Sequence, residues 1–175
     1  MCSDGIPQLV VKVATEARAA LSAGVDANLP DRLPLLRAVL EESLRLYPPV
    51  PRFDREAIAD DMLGEHEIRA GELVSIWPWI IHRHKRLWED PDAFDAERFA
   101  IGRKYGRFQY LPFGAGPRTC VGARFAMAEA LTILAVWLSR WRFAPSPGRQ
   151  VQVSGLVTLR PKGGLPLLLS RRVGR

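Results

Sequence analysis

The sequence is poor in cysteine. Its 175 residues contain only Cys2 and Cys120, too few for a disulfide framework, as is typical of a reducing compartment. The first residues show no basic region followed by an apolar one, so no secretory signal is recognisable. We therefore expect a cytoplasmic location.

Long apolar runs are also missing. The longest apolar stretch lies within residues 125–138, is interrupted by Glu129, and is too short to span a bilayer. We therefore expect no membrane span in this chain. The length suffices for one hydrophobic core. Since there is no internal repeat and no clear domain boundary, we treat residues 1–175 as one unit.

The sequence also lacks a long run of residues with the same charge. The net charge is +6, but the arginines are scattered and no nucleic-acid motif is present, so we expect no nucleic-acid partner. His82 and His84 lack ligands at zinc spacing and are interpreted as surface or polar-core residues. The segment Gly114-Ala115-Gly116 lacks the Gly-Lys-Ser/Thr ending of a phosphate loop.

The pattern of apolar residues predicts a mainly helical fold with small antiparallel sheets. Helices are predicted over 8–22, from Pro34 to about Tyr47, and from Ala123 to about Trp137; the proline at residue 34 suits a first helical turn, and Pro48-Pro49 ends that helix. Short strands are predicted within 55–74 and in the tail. Residues 75–85 read as a buried helix or extended piece, and 90–111 as a long, ordered, irregular stretch.

One cysteine lies in a glycine-rich loop directly before a predicted helix. Residues 113–122 read Phe-Gly-Ala-Gly-Pro-Arg-Thr-Cys-Val-Gly. A helix N-terminus stabilises negative charge, so a cysteine placed there tends toward the thiolate, the form that binds metals. Gly114 and Gly116 permit a tight loop that can aim N–H groups at the sulfur. Gly122 leaves room for a flat ligand, and Arg118 supplies a cation suited to a carboxylate.

This segment resembles the cysteine-ligand loop of the cytochrome P450 family of haem-thiolate monooxygenases. The family pattern is Phe-x-x-Gly-x-Arg-x-Cys-x-Gly, and every fixed position is met. The resemblance implies haem b as cofactor, Cys120 as the proximal iron ligand, Arg118 paired with a haem propionate, and Phe113 packed near the sulfur. An ordinary glycine-rich turn with a buried, inert cysteine is the alternative.

A second group of charged residues supports the resemblance. Glu42 and Arg45 share one helical face, and Glu97-Arg98-Phe99 follows later in the chain. A surface ion pair would be the default interpretation of such a helical pair. The resemblance instead implies that Glu42, Arg45 and Arg98 converge and lock the segment beneath the haem. Ala96 replaces the proline that the family commonly has, which predicts a slightly looser turn.

Weaker matches concern the haem rim and the substrate pocket. Arg55 lies where relatives often place a second propionate-binding arginine, although a solvated surface arginine is nearly as expected. Two segments correspond to the lining of the distal pocket, with plain packing an equal alternative: Val50, Pro51 and Arg52, and Ser154, Gly155 and Leu156.

The resemblance covers the C-terminal part of the family fold, and no segment matches the long distal helix. We therefore expect a truncated member, a remnant or half of a split gene.

The leading function is insertion of one oxygen atom from O2 into an apolar small molecule. An inactive haem-binding remnant and a basic interaction module are the alternatives. Electrons would come from a ferredoxin or flavodoxin-type donor on a basic face formed by Arg103, Lys104, Arg107 and Arg124.

Overall fold

The structure, a computed structural model, describes residues 5–100, 102–148, 150–155 and 157–172. Within these ranges the chain forms four helices: α1 (Gly5–Ser22), α2 (Pro34–Leu46), α3 (Pro78–Ile81) and α4 (Ala123–Arg140). Short 3-10 turns occupy Leu29–Arg32, Ala96–Phe99 and Gly116–Arg118. The strands are β1 (Phe53–Glu56), β2 (Asp61–Leu63), β3 (His66–Ile68), β4 (Leu73–Ile76), β5 (Trp141–Pro145), β6 (Val153–Gly155), β7 (Leu159–Pro161) and β8 (Leu167–Arg171).

The strands pair as antiparallel two-stranded ribbons. β2 pairs with β3 and β6 with β7 as local hairpins, whereas β1 pairs with β4 and β5 with β8 across longer segments. Phe53 lies opposite Ile76 in the first long pair, and Trp141 lies opposite Arg171 in the second. The predicted class, mainly helical with small antiparallel sheets, is confirmed.

The hydrophobic core lies where α1, α2 and α4 meet. It combines alanines on α1 and α4, which allow the two helices to approach closely, with larger side chains that are mostly leucines. Its buried members are Val13, Ala17, Ala20, Leu29, Leu33, Leu36, Leu131 and Ala135. This packing fixes α4 against α1, and the start of α4 is the point to which the cysteine loop is attached.

A carboxylate from one helix caps the next. The two oxygens of Glu16 on α1 accept the backbone N–H groups of Leu35 and Leu36 at 2.8 and 2.9 Å. The residue before α2, Leu33, offers no side-chain cap. Glu16 therefore satisfies the free N–H groups of the first turn and places negative charge at the positive end of the helix.

The segment 75–85 differs from its prediction. β4 ends at Ile76, and a single helical turn follows at Pro78. Trp77 and Ile80 are 40% and 54% exposed, so this stretch is not a buried element as a whole. Pro78 and His82 are its buried members. The proline starts the turn because its fixed φ is compatible with a first helical position.

None of the helices in the described ranges combines the length and apolar character that a membrane crossing requires. Two residues named in the sequence analysis, Cys2 and Leu156, lie outside the described residues.

Candidate functional site

The buried charged cluster begins with a helical pair on α2. Glu42 and Arg45 are both fully buried. Arg45 Nε donates to Glu42 Oε2 at 2.7 Å, and Arg45 Nη2 donates to Oε1 at 2.8 Å. This two-pronged geometry is the strong form of an arginine–carboxylate pair. Its burial excludes the default interpretation of a solvated surface pair.

The remaining donors of Arg45 hold the backbone of a distant segment. Nη1 donates to the carbonyl oxygens of His82 and Pro91 at 2.6 and 2.7 Å, and Nη2 donates to that of Ala93 at 3.1 Å. Together with the two bonds to Glu42, these use all five N–H donors of a guanidinium. Lysine, with three donors and no planar fork, cannot reproduce this set of contacts.

Arg98 completes the cluster from the other side. Its Nε lies 3.4 Å from Glu42 Oε1, and its Nη2 donates to the carbonyl oxygen of Asp90 at 3.0 Å. Asp90 has a φ of +40°, a conformation that aspartate tolerates better than most residues. The structure thus brings together the three charged side chains that the sequence pattern grouped, and Arg98 also holds a strained point of the loop.

The backbone of the turn 96–99 is fixed by two carboxylates. Asp95 donates its N–H to Glu42 Oε1 at 2.8 Å, and the side chain of Asp95 accepts the N–H of Glu97 at 3.0 Å. Ala96 is buried at the start of this turn. The Asp95 cap supplies a local constraint at the position where proline is absent. Sequence reasoning missed Asp95, although an aspartate before a short turn is a recognisable capping signal.

The long irregular stretch is held by aromatic packing around the same cluster. Trp88, Phe99, Tyr105 and Tyr110 form a cluster in which Phe99 and Tyr110 have ring centroids 4.8 Å apart. The guanidinium of Arg45 lies 5.1 Å from the Trp88 ring. Burial raises the pKa of Tyr110, which keeps its hydroxyl protonated as the donor to the Glu41 carbonyl oxygen at 2.9 Å. Phe108, by contrast, is 56% exposed.

His82 links this cluster to the segment that leads into the cysteine loop. The ring is fully buried. Its Nε2 accepts the N–H of Leu111 at 2.7 Å, and its Nδ1 lies 3.1 Å from the carbonyl oxygen of Arg45. Burial, aided by the positive charges of Arg45 and Arg83, lowers the pKa of His82 to about 4. His82 is therefore a neutral polar-core residue near pH 7, one of the two interpretations given from sequence.

The cysteine loop is closed by its own backbone. The N–H of Cys120 donates to the carbonyl oxygen of Phe113 at 2.9 Å, and the N–H of Gly114 donates to that of Leu111 at 3.2 Å. Gly114 and Gly116 have φ values of +74° and +71°, which L side chains rarely adopt. Cys120 lies in the loop directly before α4, as the sequence predicts, and its side chain is exposed.

The surroundings of the sulfur differ from one expectation. Within the described residues no N–H donates to the Cys120 sulfur, so the loop glycines do not aim amide groups at it here. A Cβ added at Gly122 would lie 3.9 Å from the sulfur. Glycine at this position therefore keeps the space beside the thiol free.

The donor set around Cys120 is consistent with haem and not with a bare metal ion. No group of three or more His, Cys, Asp or Glu side chains able to hold a metal is found in the part of the chain that the structure describes. A structural zinc ion takes four protein ligands. A single accessible thiol beside a glycine, in contrast, fits a metal whose other ligands come from a cofactor, as the iron of haem has from its porphyrin. The exposed, apolar Val121 and Phe125 next to it suit a flat organic ring.

The predicted propionate-binding arginines lie on the surface. Arg118 is exposed in the turn before Cys120, and within the described ranges it has no ion-pair partner. Arg55 is exposed on β1, where its Nη1 donates to the Asp54 carbonyl oxygen at 2.8 Å and its guanidinium lies 4.9 Å from the Phe53 ring. Arg118 is thus free to bind an anion, whereas Arg55 is partly engaged.

The two segments assigned to the pocket lining meet in the structure. The N–H of Leu159 donates to the Pro49 carbonyl oxygen at 2.8 Å. A Cβ added at Gly155 would lie 3.9 Å from Pro51 and 2.9 Å from the Cδ1 atom of Leu159, so the β6–β7 hairpin lies close to the chain after α2 at this residue. Arg52 forms an exposed ion pair with Asp54 at 2.8 Å. Ser154 lies in β6 and is exposed.

Comparison with known proteins gives one consistent family. The family model described as Cytochrome P450 matches residues 7–165. Cytochrome P450 714C3 of Oryza sativa subsp. japonica is 38% identical over 151 residues, which are 84% of this chain and 30% of the relative. Thromboxane-A synthase of Mus musculus is 42% identical over 151 residues, covering 83% and 28%. The chain thus spans about 30% of the length of these relatives.

Solved structures agree with the sequence relatives. The crystal structure of a cytochrome P450DA mutant heme domain superposes with a TM-score of 0.87 at 27% identity, over 95% of this chain and 38% of that chain. A cytochrome P450, CYP102L1, gives a TM-score of 0.83 at 32% identity, over 95% and 39%. The fold described above is therefore a part of a larger known domain.

Glu42→Gln is expected to destabilise the protein strongly. The change leaves Arg45 buried without a countercharge and removes the nearer of the two carboxylates beside Arg98, at a cost of about 3–5 kcal/mol. The free energy of unfolding from urea titration measures this loss. Asp92→Asn is the matched control, since Asp92 is 83% exposed and its oxygen lies 3.5 Å from Arg83; its loss should stay below about 1 kcal/mol. Equal losses in the two variants would show that the buried cluster is not stabilising.

The neutral state of His82 gives stability a pH dependence. The folded pKa of about 4 lies below the value of about 6.5 in an unfolded chain. As pH falls through this window, the unfolded chain binds the proton first. The contribution of neutral His82 is complete above pH about 6.5 and is lost toward pH 4, a total on the order of 3 kcal/mol.

Urea titrations between pH 7 and pH 4 test this expectation. In His82→Gln the decrease in unfolding free energy across this window should be smaller than in the wild type. His66→Gln, a change at an exposed residue of β3, should keep the wild-type decrease. An unchanged pH profile in His82→Gln would contradict the assignment.

Proposed function

The chain belongs to the cytochrome P450 family, and from this premise we propose that it is the haem-ligating part of a haem-thiolate monooxygenase. The observation that carries the proposal is the placement of Cys120. Its thiol is exposed, it precedes α4, and the glycine beside it leaves open space. The proposed reaction is the insertion of one oxygen atom from O2 into an apolar small organic molecule.

We propose Cys120 as the thiolate ligand of the iron of haem b. When bound through a thiolate, haem supplies the activation of oxygen for such reactions. The contribution of the chain is to hold the sulfur in place. The bond from the Cys120 N–H to Phe113 and the positive φ angles of Gly114 and Gly116 define the loop that does so. Phe113, which is half-buried at the start of this loop, is proposed to pack near the sulfur.

Arg118 and Arg55 are proposed to bind the haem propionates. Arg118 carries the stronger argument, because it is exposed, close in sequence to Cys120, and without an ion-pair partner among the described residues. A guanidinium suits a carboxylate through paired hydrogen bonds. Arg55 is the weaker candidate, since one of its donors already binds Asp54.

The electron donor is proposed to be a ferredoxin or flavodoxin-type protein. Arg103, Lys104, Arg107 and Arg124 are all exposed, as docking of an acidic protein requires. Arg124 lies in the first turn of α4, close in sequence to Cys120. Complementary charge would raise the rate of association more than the affinity.

An inactive haem-binding remnant is the second candidate. The 175 residues span about 30% of the length of the relatives, so by themselves they supply only part of the protein that would surround a bound haem. A reaction centre open to water loses reactive intermediates before substrate is oxidised. This observation favours a 175-residue chain that binds haem but couples electron transfer to product formation poorly.

Cys120→Ala should abolish thiolate ligation. In the 175-residue protein reconstituted with haem, the reduced, carbon-monoxide-bound form should show the red-shifted Soret band of a thiolate-ligated iron, because sulfur donates electron density to the metal. Cys2→Ala is the matched control and should keep the band. The same band in Cys120→Ala would exclude the proposed ligand.

The 175-residue chain by itself should couple electrons to product inefficiently. By themselves the 175 residues would leave part of a bound haem open to water, so reduced oxygen species should form in place of oxidised substrate. The measurement is product formed per electron consumed, with a surrogate reductase and a panel of fatty acids. Efficient hydroxylation by the chain alone would instead exclude the interpretation that the chain is an inactive remnant.

A further inference from the structure

The imidazole of His82 joins two parts of the site that are far apart in sequence. We propose that His82 is a positioning residue for the cysteine loop, holding the Leu111 amide at the start of the loop against the end of α2. The functional meaning of this inference rests on the proposed role of Cys120. The structural coupling itself is independent of haem.

The hydrogen bonds of the ring define its tautomer. The Leu111 N–H donates to Nε2 at 2.7 Å, so Nε2 must carry a lone pair. The other nitrogen, Nδ1, lies 3.1 Å from the Arg45 carbonyl oxygen, which can only accept. The proton is therefore assigned to Nδ1, and the ring acts as a donor on one side and an acceptor on the other.

On the loop side, two backbone hydrogen bonds connect Leu111 indirectly to Cys120. Leu111 is 5% exposed, and its carbonyl oxygen accepts the Gly114 N–H at 3.2 Å. Phe113, one residue before that glycine, accepts the Cys120 N–H at 2.9 Å. A displacement of Leu111 would thus be transmitted to Cys120 through two backbone hydrogen bonds in a loop of ten residues.

On the helix side, His82 is fixed through both its side chain and its backbone. Arg45 Nη1 donates to the His82 carbonyl oxygen at 2.6 Å, while the ring of His82 faces the Arg45 carbonyl oxygen. The neighbouring Tyr110 ring lies 5.3 Å from the imidazole, and its hydroxyl binds the Glu41 carbonyl oxygen. The ring is therefore held rigidly enough to locate the Leu111 amide.

An apolar side chain of similar size could fill this volume but could not perform this role. It would leave the Leu111 N–H and the Arg45 carbonyl oxygen buried without these partners, and unpaired buried polar groups are costly. Imidazole places a donor and an acceptor on a rigid ring, so one side chain connects two backbone segments.

Glutamine and asparagine at position 82 allow the two hydrogen bonds of the ring, to Leu111 and to Arg45, to be tested separately. In His82→Gln the side-chain oxygen is placed near the position of Nε2, where it can accept from Leu111. In His82→Asn the amide is placed near Nδ1, where it can donate to Arg45 but does not reach Leu111. Both variants remove the ring and its titration. They differ mainly in whether the Leu111 N–H keeps an acceptor at position 82.

Hydrogen–deuterium exchange of the 175-residue protein, read by mass spectrometry, tests this pair. In His82→Asn the amides of residues 111–120 should exchange roughly tenfold faster than in the wild type, whereas His82→Gln should show a much smaller increase. The peptide covering β2 and β3 is the internal control and should be unchanged. Equal exchange of residues 111–120 in the two variants, or equal acceleration in all peptides, would overturn the proposal.

A direct measurement does not depend on either variant folding. In isotope-labelled wild-type protein, a nitrogen–nitrogen scalar coupling across the hydrogen bond should connect the Leu111 amide to His82 Nε2. Its absence in spectra that resolve both nuclei would overturn the proposal. Failure of the Cys120→Ala spectral test, in contrast, would remove the ligand assignment and leave the exchange result standing.

Discussion

The Glu42–Arg45 pair is the interaction on which the rest of the structure depends. Both side chains are fully buried, and a buried charge is tolerated only when it is paired and its hydrogen-bonding capacity is used. Backbone groups far away in the sequence meet these two requirements. The carbonyl oxygens of residues 82, 91 and 93 accept hydrogen bonds from Arg45, and the N–H of Asp95 donates to Glu42. The irregular segment 82–98 follows the path that satisfies this pair.

This constraint explains how a segment without regular secondary structure can be well defined. A loop of this length would ordinarily be expected to lose order, because few backbone bonds hold it. Here the guanidinium of Arg45 replaces a helix or a sheet as the partner of the backbone. Arg98 adds a second point of attachment, at the strained residue Asp90. The aromatic cluster of Trp88, Phe99, Tyr105 and Tyr110 lies beside the charged pair, with the Trp88 ring 5.1 Å from the Arg45 guanidinium.

The cysteine loop is attached to this framework at both ends. Its C-terminal end runs into α4, which the core fixes against α1. Its N-terminal end is held by the bond between Leu111 and His82, and through His82 by Arg45. In the proposed function the sulfur of Cys120 binds the iron, so small displacements of this atom would matter. The arrangement supplies two points of attachment for that atom, one on each side of the loop.

The sequence by itself determined the features that depend on local geometry. The helices start and end close to the predicted residues because proline and apolar periodicity act within a turn. Glu42 and Arg45 meet because an i,i+3 spacing fixes their relation, and Cys120 precedes α4 because its loop is defined by nearby glycines. The family resemblance added that Arg98 joins this pair, which the structure shows. Only the tertiary structure decided that Glu16 caps α2, that Trp77 and Ile80 are exposed, and that His82 binds Leu111. The physical reason is that such contacts depend on the path of the chain over many residues. The residue types on either side show which bonds are possible, and packing selects the ones that form.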